Sequence, residues 1–292
     1  MDSSLILKNV NKKYEKSNFA IKDISFSVPE GSIVGFIGEN GAGKSTTMNC
    51  ILNVIRRDSG TIEIFGREMT DEDIDIRENI GVVYDSNNFP EYLTAKQLAD
   101  ILGRIYRKWD DFCFEQFLRR FGLPESQKMK TYSRGMSMKL AIAVALSHDS
   151  KLLILDEATS GLDPIMRDEI LDVLLEFVKQ ENHSILLSSH ITSDLEKIAD
   201  YIVFIHNGEI ILNKTKDELI YEYGVIRCSE NDFHNILSED ILSSMKKDYQ
   251  IDVLIKNRKL IEKKYKNLIV DSVSLDEIML LLVKGERNAG ID

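Results

Sequence analysis

Short apolar runs rich in β-branched residues alternate along the chain with segments whose apolar residues repeat at helical spacing. The runs with the strongest strand pattern are IVGFI at 33–37, LLIL at 152–155, SILLS at 184–188 and YIVFI at 201–205. Continuous apolar strands of this kind are typical of a parallel sheet covered by helices on both faces. The runs LILKNV, ISFSV and TIEIF are interrupted by polar residues and predict an antiparallel layer at the edge.

The segment between about Thr94 and Phe121 has a different pattern, with apolar residues every three or four positions. The repeating positions are Leu98, Ile101, Leu102 and Ile105, followed by Phe114, Phe117, Leu118 and Phe121. This spacing predicts amphipathic helices inserted between the strands, and we expect a helical subdomain over about residues 86–146. Further along, Asn207-Gly208 between two apolar runs predicts a two-residue hairpin turn.

The pattern changes again after Asn213. The weaker strand-like runs VIRCS, IDVLI and NLIV follow, and then a helix. Ser274 and Glu277 have the spacing of a capping box at the start of that helix. We therefore expect two domains, an α/β domain over residues 1–213 and a small α/β appendage over residues 214–292.

A glycine-rich turn lies between the strand IVGFI and the helical stretch TTMNCIL. Its sequence, GENGAGKST, has P-loop spacing: the glycines let backbone N–H groups surround phosphate oxygens, and the following helix presents its positive end to the same anion. Lys44 is expected to reach the β- and γ-phosphates, and the Ser45 hydroxyl to coordinate Mg²⁺. The nucleotide-binding residues expected here are Gly38, Asn40, Gly41, Ala42, Gly43, Lys44, Ser45 and Thr46.

Two carboxylates, Asp156 and Glu157, directly follow the apolar run LLIL. Ligand sites of parallel sheets lie at this carboxyl edge. Beside a P-loop the pair predicts phosphoryl transfer, in which Asp156 holds Mg²⁺ and Glu157 orients or deprotonates the attacking water. Taken alone, the pair is equally typical of a helix cap.

His190 follows the next apolar run, SILLS, and is therefore expected at the same sheet edge. There it would sense the γ-phosphate and act as a partner of the catalytic water. The alternative is a structural histidine without a role in catalysis. The expected catalytic residues are thus Glu157, His190 and Lys44.

The residues YSRGM at 132–136 precede a helical stretch and then the carboxylate strand. They resemble the signature motif of the ATP-binding-cassette (ABC) family, whose usual form is L-S-G-G-Q. Ser133 and Gly135 match that motif, whereas Tyr132, Arg134 and Met136 depart from it. The arginine and the methionine at these positions resemble a bacterial subgroup of exporter cassettes. The resemblance covers roughly residues 5–213. It implies a P-loop NTPase fold with a mixed central sheet, an antiparallel β edge layer and a helical subdomain.

The resemblance also implies roles for further residues. Ser133 and Gly135 would begin a helix whose N-terminus contacts the γ-phosphate held by the opposite protomer. The residues SGLD at 160–163 resemble the segment through which two cassettes communicate, with Asp163 also capping a helix. Tyr14 matches the aromatic residue that stacks on adenine, although an ordinary core tyrosine is the alternative.

The family's glutamine, in the loop that precedes the helical subdomain, is replaced here by Asp85. An aspartate at this position can still ligate Mg²⁺. It can equally be only a turn residue. The loop Asn87–Thr94 is expected to face the membrane partner.

The composition narrows the possible partners. The 292-residue chain carries a formal net charge of −11, which disfavours binding to nucleic acid. The one basic concentration, residues 246–266, has eight Lys or Arg against three acidic residues. It indicates a solvated face, with contact to anionic lipid as the alternative.

No apolar run is long enough to span a bilayer, and the first residues lack the pattern of a signal peptide. The cysteines Cys50, Cys113 and Cys228 are scattered, as a reducing compartment permits. We therefore expect a cytoplasmic protein that is peripheral on the inner face of the cell membrane.

Together these features predict an ATPase that binds ATP and Mg²⁺ as a homodimer or as a heterodimer with a related cassette. It would power transport, by resemblance export, through a transmembrane permease on a separate chain. One alternative is a soluble ABC-type ATPase that acts on nucleic acid, although only 112 positions separate Lys44 from Asp156 and no heptads indicate a long coiled coil. Another is a regulatory module that binds nucleotide without turnover, suggested by Asp85, Arg134 and Met136.

Overall fold

The computed structural model describes residues 2–14, 19–70, 72–85 and 89–287. The chain divides into two compact units, Met1–Asn213 and Lys214–Asp292. Within the described residues, no helix is both long enough and apolar enough to cross a bilayer.

The strands that begin in the first unit are β1 (Ser3–Lys13), β2 (Ala20–Pro29), β3 (Ile33–Ile37), β4 (Ser59–Ile64), β5 (Arg67–Glu68), β6 (Ile80–Val83), β7 (Leu152–Asp156), β8 (Ser184–Ser189), β9 (Tyr201–His206) and β10 (Glu209–Thr215). The helices of this unit are α1 (Lys44–Ile51), α2 (Ile74–Glu78), α3 (Ala95–Ile105), α4 (Asp111–Arg120), α5 (Arg134–Leu146), α6 (Pro164–Val178) and α7 (Thr192–Ile198).

The central sheet has the strand order β10-β9-β3-β8-β7-β6. The five strands from β9 to β6 in this order run parallel to one another, and every residue of β3 is buried. A strand that is buried on both faces needs a continuous apolar sequence, which explains why the run IVGFI does not alternate. The predicted parallel sheet is confirmed. β6 belongs to the same sheet, although the sequence patterns did not identify it as a strand.

The turn between β9 and β10 is the predicted two-residue hairpin. Asn207 and Gly208 have φ values of 49° and 80°. Asparagine and glycine tolerate this left-handed region better than other residues, and a two-residue turn of this type needs it at both positions. The hairpin therefore adds β10 to the edge of the sheet.

The predicted antiparallel layer is also present, as a second sheet with the order β2-β1-β4-β5. Its strands pair antiparallel, and their inward side chains share one apolar core with β3 and α1. Leu5, Val10 and Phe36 are buried in that core. The layer thus supports the loop that connects β3 to α1.

Helices α3, α4 and α5 occupy the segment for which a helical subdomain was predicted. The first begins at a capping box, in which Thr94 accepts from the backbone N–H of Gln97 and the Gln97 side chain accepts from the backbone N–H of Thr94. Leu98 and Phe114 are buried, whereas Ile101 and Ile105 are exposed despite their helical spacing. Residues 86–88, at the start of the predicted subdomain and of the loop Asn87–Thr94, lie outside the described residues.

The strands of the second unit are β11 (Gly224–Cys228), β12 (Ser243–Lys246), β13 (Ile251–Ile255), β14 (Val270–Asp271) and β15 (Glu286–Arg287), and its helices are α8 (Lys216–Glu222), α9 (Glu230–Phe233), α10 (Arg258–Lys264) and α11 (Leu275–Lys284). The sheet has the order β14-β11-β13-β12-β15. The predicted capping box at Ser274 and Glu277 is confirmed at the start of α11. The predicted strand NLIV contributes only its last residue to β14, because Leu268 donates to the carbonyl of Tyr265 in a turn.

The basic segment 246–266 lies within this unit and is paired internally. Lys246 contacts Glu230 at 2.9 Å, and Lys256 contacts Glu218 at 2.8 Å. Lys264 contacts Asp240 at 2.6 Å. Acidic residues elsewhere in the unit therefore offset much of the positive charge that the sequence concentrates there.

Candidate functional site

The loop between β3 and α1 adopts a backbone that requires glycine. Gly41 and Gly43 have φ values of 83° and 121°, a region that other residues rarely enter. Gly38 meets a different constraint, because a Cβ atom there would lie 2.5 Å from the carbonyl oxygen of Ile205 in β9. The loop is thus fixed against the central sheet, and its glycines are needed for both conformation and space.

Lys44 is the first residue of α1 and is 6% exposed. Its Nζ donates to the carbonyl oxygen of Gly38 at 2.7 Å and lies 3.3 Å from Oε1 of Glu157. A buried ammonium group needs such partners, because an unpaired charge away from water is costly. These contacts hold the positive charge inside the loop and beside the end of β7.

Asp156 is the last residue of β7 and stands opposite Ser188 of β8 in the sheet register. Ser188 Oγ donates to Asp156 Oδ1 over 2.6 Å, and Ser188 is fully buried. Sequence reasoning missed this serine. The signal that could have found it is a polar residue within the apolar run SILLSS, level with the aspartate of the neighbouring strand. Burial raises the pKa of the nearby Tyr84 hydroxyl, and the negative charge of Asp156 raises it further.

Glu157 follows with φ at 55°, in the left-handed region. A non-glycine residue in that region carries a cost of about 1 kcal/mol or more, and such residues cluster at functional sites. The turn brings Glu157 Oε2 to 2.5 Å from His190 Nδ1, at the end of β8. Glu157 Oε1 is buried and has no hydrogen-bond partner among the described residues, although Lys44 lies nearby. Glu157 and His190 therefore lie at the same sheet edge, as their positions after adjacent strands predict.

Lys44, Asp156 and Glu157 line a cavity of about 540 Å³. Six of the loop residues that were predicted to bind nucleotide line this cavity: Asn40, Gly41, Gly43, Lys44, Ser45 and Thr46. Ala42 is instead buried in the apolar core, and Gly38 faces β9. Outside the loop, Asp85, Asp156 and Glu157 also line the cavity.

The donor set of the cavity suits Mg²⁺. The Ser45 hydroxyl and the carboxylates of Asp85 and Asp156 share its wall. Within the described ranges, no group of three His, Cys, Asp or Glu residues is assembled closely enough to hold a metal ion unaided. Such a set fits a small cation that takes one or two carboxylates, keeps several waters and is otherwise bound through phosphate oxygens.

Two aromatic residues lie near the loop. Phe19 lines the cavity. Tyr14 is 37% exposed, and its hydroxyl lies 3.4 Å from Thr46 Oγ1. Sequence reasoning selected Tyr14 and passed over Phe19, which no spacing rule distinguishes from a core residue.

The residues predicted to contact the opposite protomer lie at the N-termini of two helices. Ser133 caps α5 and accepts from the N–H of Met136 at 3.2 Å, whereas Asp163 caps α6. Gly135 is buried, and a Cβ atom there would lie 2.4 Å from Sδ of Met166. As far as the chain is described, none of Ser133, Gly135 and Asp163 lines the cavity of its own subunit.

Arg134, beside them, pairs with Asp85. The two residues are 49 positions apart in the chain and line a second cavity of about 410 Å³ together with Tyr132 and Ser137. Asp85 thus faces both cavities. The sequence offered no indication that these two departures from the family pattern contact each other.

The chain is similar in sequence to ATP-binding proteins of transporters. The family model described as "ABC transporter" matches residues 21–160. The chain is 34% identical over 206 residues to the ABC transporter ATP-binding protein YtrB of Bacillus subtilis, which covers 70% of each chain. It is 36% identical over 219 residues to the lantibiotic transport ATP-binding protein SrtF of Streptococcus pyogenes, covering 73% of this chain and 91% of that protein.

Solved structures give the same relationship. A structure of the ATP-binding subunit of an ABC transporter superposes with a TM-score of 0.68 at 30% identity, covering 74% of this chain and 92% of that one. A dimeric ATP-binding cassette bound to ADP and phosphate superposes with a TM-score of 0.65 over 73% of this chain and 98% of that one. At 24% identity the second likeness concerns the fold alone.

Proposed function

The chain belongs to the family of ABC transporter ATP-binding proteins, and on that premise we propose which of its residues bind and hydrolyse ATP. It is an ATPase that powers transport through a separate membrane subunit. The observation that carries the residue assignment is the contact between Lys44 and Glu157, which both line one cavity, together with the hydrogen bond between Glu157 and His190.

The phosphates bind in the glycine-rich loop. Backbone N–H groups of residues 40–46 and the N-terminus of α1 surround the β- and γ-phosphates, and Lys44 exchanges its loop carbonyl acceptors for phosphate oxygens. Tyr14 stacks on the adenine ring, at the end of the loop where its hydroxyl approaches Thr46.

Ser45, Asp156 and Asp85 would hold Mg²⁺, which when bound would neutralise charge on the phosphates. Ser188 fixes the orientation of the Asp156 carboxylate through its hydrogen bond. Glu157 orients the attacking water and accepts its proton. His190 fixes the Glu157 carboxylate and senses the γ-phosphate.

Each site is completed by a second subunit. Ser133, Gly135 and Asp163 lie outside the cavity of their own subunit, so they are available to close the cavity of a partner. The helix N-terminus at Ser133 favours an anion, and we assign to it the γ-phosphate held by the opposite protomer. ATP would thereby clamp two cassettes together, and hydrolysis would release them.

Complementation between two defective variants tests this scheme. Lys44→Ala damages the phosphate loop of its own subunit, whereas Ser133→Ala damages the closure of the partner's site. Mixed dimers of the two variants, purified through two different tags, contain one site with both defects and one intact site. We expect ATP turnover above that of either parent, measured by phosphate release.

The control mixes Lys44→Ala with Glu157→Gln. Both substitutions damage the same half-site, so every site in the mixed dimer stays broken. Absence of recovery with Ser133→Ala would contradict completion of each site by a second subunit. Recovery in this control would show that Lys44 and Glu157 act in different half-sites.

We further propose that the chain sits on the inner face of the cell membrane, bound to a permease, and that transport is export. The relative named as a lantibiotic transport ATP-binding protein supports coupling to transport. The direction rests on the similarity of Arg134 and Met136 to the signature of exporter cassettes. Co-purification from detergent-solubilised membranes, with identification of the associated polypeptides, tests the assembly. Recovery of the chain without any membrane-spanning polypeptide would contradict it.

A further inference from the structure

The ion pair between Asp85 and Arg134 joins two regions of the cassette. Asp85 follows β6, Arg134 begins α5, and both side chains are about half exposed at 53% and 51%. Arg134 also lies close to Gly161, because a Cβ atom built on Gly161 would lie 2.8 Å from its Nη1 atom. The guanidinium group of Arg134, on the signature helix, thus pairs with Asp85 and lies beside the SGLD segment.

The charges that line the nucleotide cavity explain why this pair matters. Among the described lining residues, the cation is Lys44, and the acidic side chains are Glu39, Asp85, Asp156 and Glu157. Lys44 is already held beside Glu157. Without a partner, the carboxylate of Asp85 would repel the phosphates of a nucleotide, because repulsion between like charges is strong in a partly desolvated site.

We propose that Arg134 is a positioning residue for nucleotide binding: it offsets the negative charge of Asp85 and holds that carboxylate at the cavity wall. The inference rests on the proposed function of the cavity. A carboxylate has two oxygens with several acceptor positions, so Asp85 can keep its bond to Arg134 while its other oxygen faces the cavity. Asp85, which replaces the family's glutamine, and Arg134 of the signature motif then act together.

Binding of ATP to the purified full-length chain, measured by calorimetry with EDTA and again with Mg²⁺, tests this proposal. Without Mg²⁺, Arg134→Ala is expected to weaken ATP binding by about two- to five-fold, the range for a half-exposed pair. Asp85→Ala/Arg134→Ala should return the affinity to near that of the wild type, because the carboxylate that Arg134 offsets is gone. With Mg²⁺ the loss caused by Arg134→Ala should shrink, because the cation also offsets Asp85.

The conservative variant separates charge from shape. Arg134→Lys keeps the positive charge and should bind ATP in EDTA nearly as well as the wild type, whereas Arg134→Gln should behave like Arg134→Ala. Circular dichroism melts identify any variant that does not fold. If Arg134→Ala fails to fold, the lysine and glutamine variants decide the question.

Gly161 offers a second approach with a matched control. Gly161→Ala should displace the end of the Arg134 side chain and weaken ATP binding in EDTA. Gly122→Ala introduces the same kind of backbone strain, with φ at 64° compared with 69°, but has no atom within 4 Å of the new methyl group. Gly122→Ala should therefore leave the ATP affinity unchanged.

Equal losses for Arg134→Ala and for the double variant would overturn the proposal, because Arg134 would then act independently of Asp85. Failure of the proposed function would give a different experimental result. If Lys44→Ala bound ATP as tightly as the wild type, the cavity would not be the nucleotide site. Loss of binding in Lys44→Ala without coupling between Asp85 and Arg134 would overturn only the present inference.

Discussion

Nδ1 of His190 lies 2.5 Å from Oε2 of Glu157. The two residues follow adjacent parallel strands, and the left-handed backbone of Glu157 turns its side chain along the sheet edge towards the histidine. Lys44 approaches the other carboxylate oxygen at 3.3 Å. The carboxylate is therefore fixed between two cationic or hydrogen-bonding groups, an arrangement that suits a residue whose task is to orient water.

Replacement of Glu157 by Gln should abolish most turnover while ATP binding persists. The amide keeps the shape of the side chain but is a poor proton acceptor, and loss of a general base costs about 10²-fold to 10⁴-fold in rate. Phosphate release and calorimetry measure the two effects. Glu181→Gln, an exposed glutamate before β8, serves as the control. Unchanged turnover in Glu157→Gln would remove Glu157 from its assigned role.

His190→Ala should lower kcat by about ten-fold or more with little change in KM, because the histidine orients Glu157 and contributes little to ground-state binding. Steady-state kinetics over a range of ATP concentrations separate the two constants. His234→Ala, an exposed histidine of the second unit, is the control. A raised KM with unchanged kcat would assign His190 to nucleotide binding instead.

Ser188→Ala removes the hydroxyl that donates to Asp156. Loss of such an orienting contact typically weakens metal binding by about 10-fold to 100-fold. We expect a matching rise in the Mg²⁺ concentration that gives half-maximal turnover. Ser184→Ala is the matched control, since Ser184 is buried on the same strand but contacts Ser4. Identical Mg²⁺ curves for both variants would contradict the proposed role of Ser188 in orienting Asp156.

Gly38→Ala should lower the free energy of unfolding by about 1 to 3 kcal/mol, the usual cost of overpacking. The new methyl group would lie 2.5 Å from the backbone oxygen of Ile205, which cannot move without displacing β9. Gly66→Ala, which meets no atom within 4 Å at φ 73°, carries backbone strain without a clash. Urea denaturation compares the two, and a smaller loss for Gly38→Ala would contradict the packing argument.

Burial raises the pKa of the Cys50 thiol from 9.0 to about 11. Between those pH values the unfolded chain loses the proton while the folded chain retains it. Deprotonation then favours unfolding, so the free energy of unfolding should fall as the pH rises from about 9 to about 11. Cys50→Ala should flatten this part of the profile in thermal melts. Parallel profiles for the two proteins would show that the thiol does not contribute.

Much of the architecture could be predicted from local patterns. The continuous apolar runs identified the buried parallel strands, because a strand covered on both faces cannot alternate. The weak pattern of IGVV left β6 unidentified. The prediction of a strand over NLIV was wrong except at its last residue, because the preceding positions form a turn.

The sequence by itself determined the phosphate loop, the carboxylate pair and the order of the elements around them, since each depends on residues that are close together in the chain. Only the tertiary structure decided which distant side chains meet. Sheet register brought Ser188 to Asp156, and backbone conformation turned Glu157 towards His190. Packing of α5 brought Arg134 to Asp85. Such a contact depends on how whole elements pack against each other, and the spacing of residues along the chain does not specify that packing.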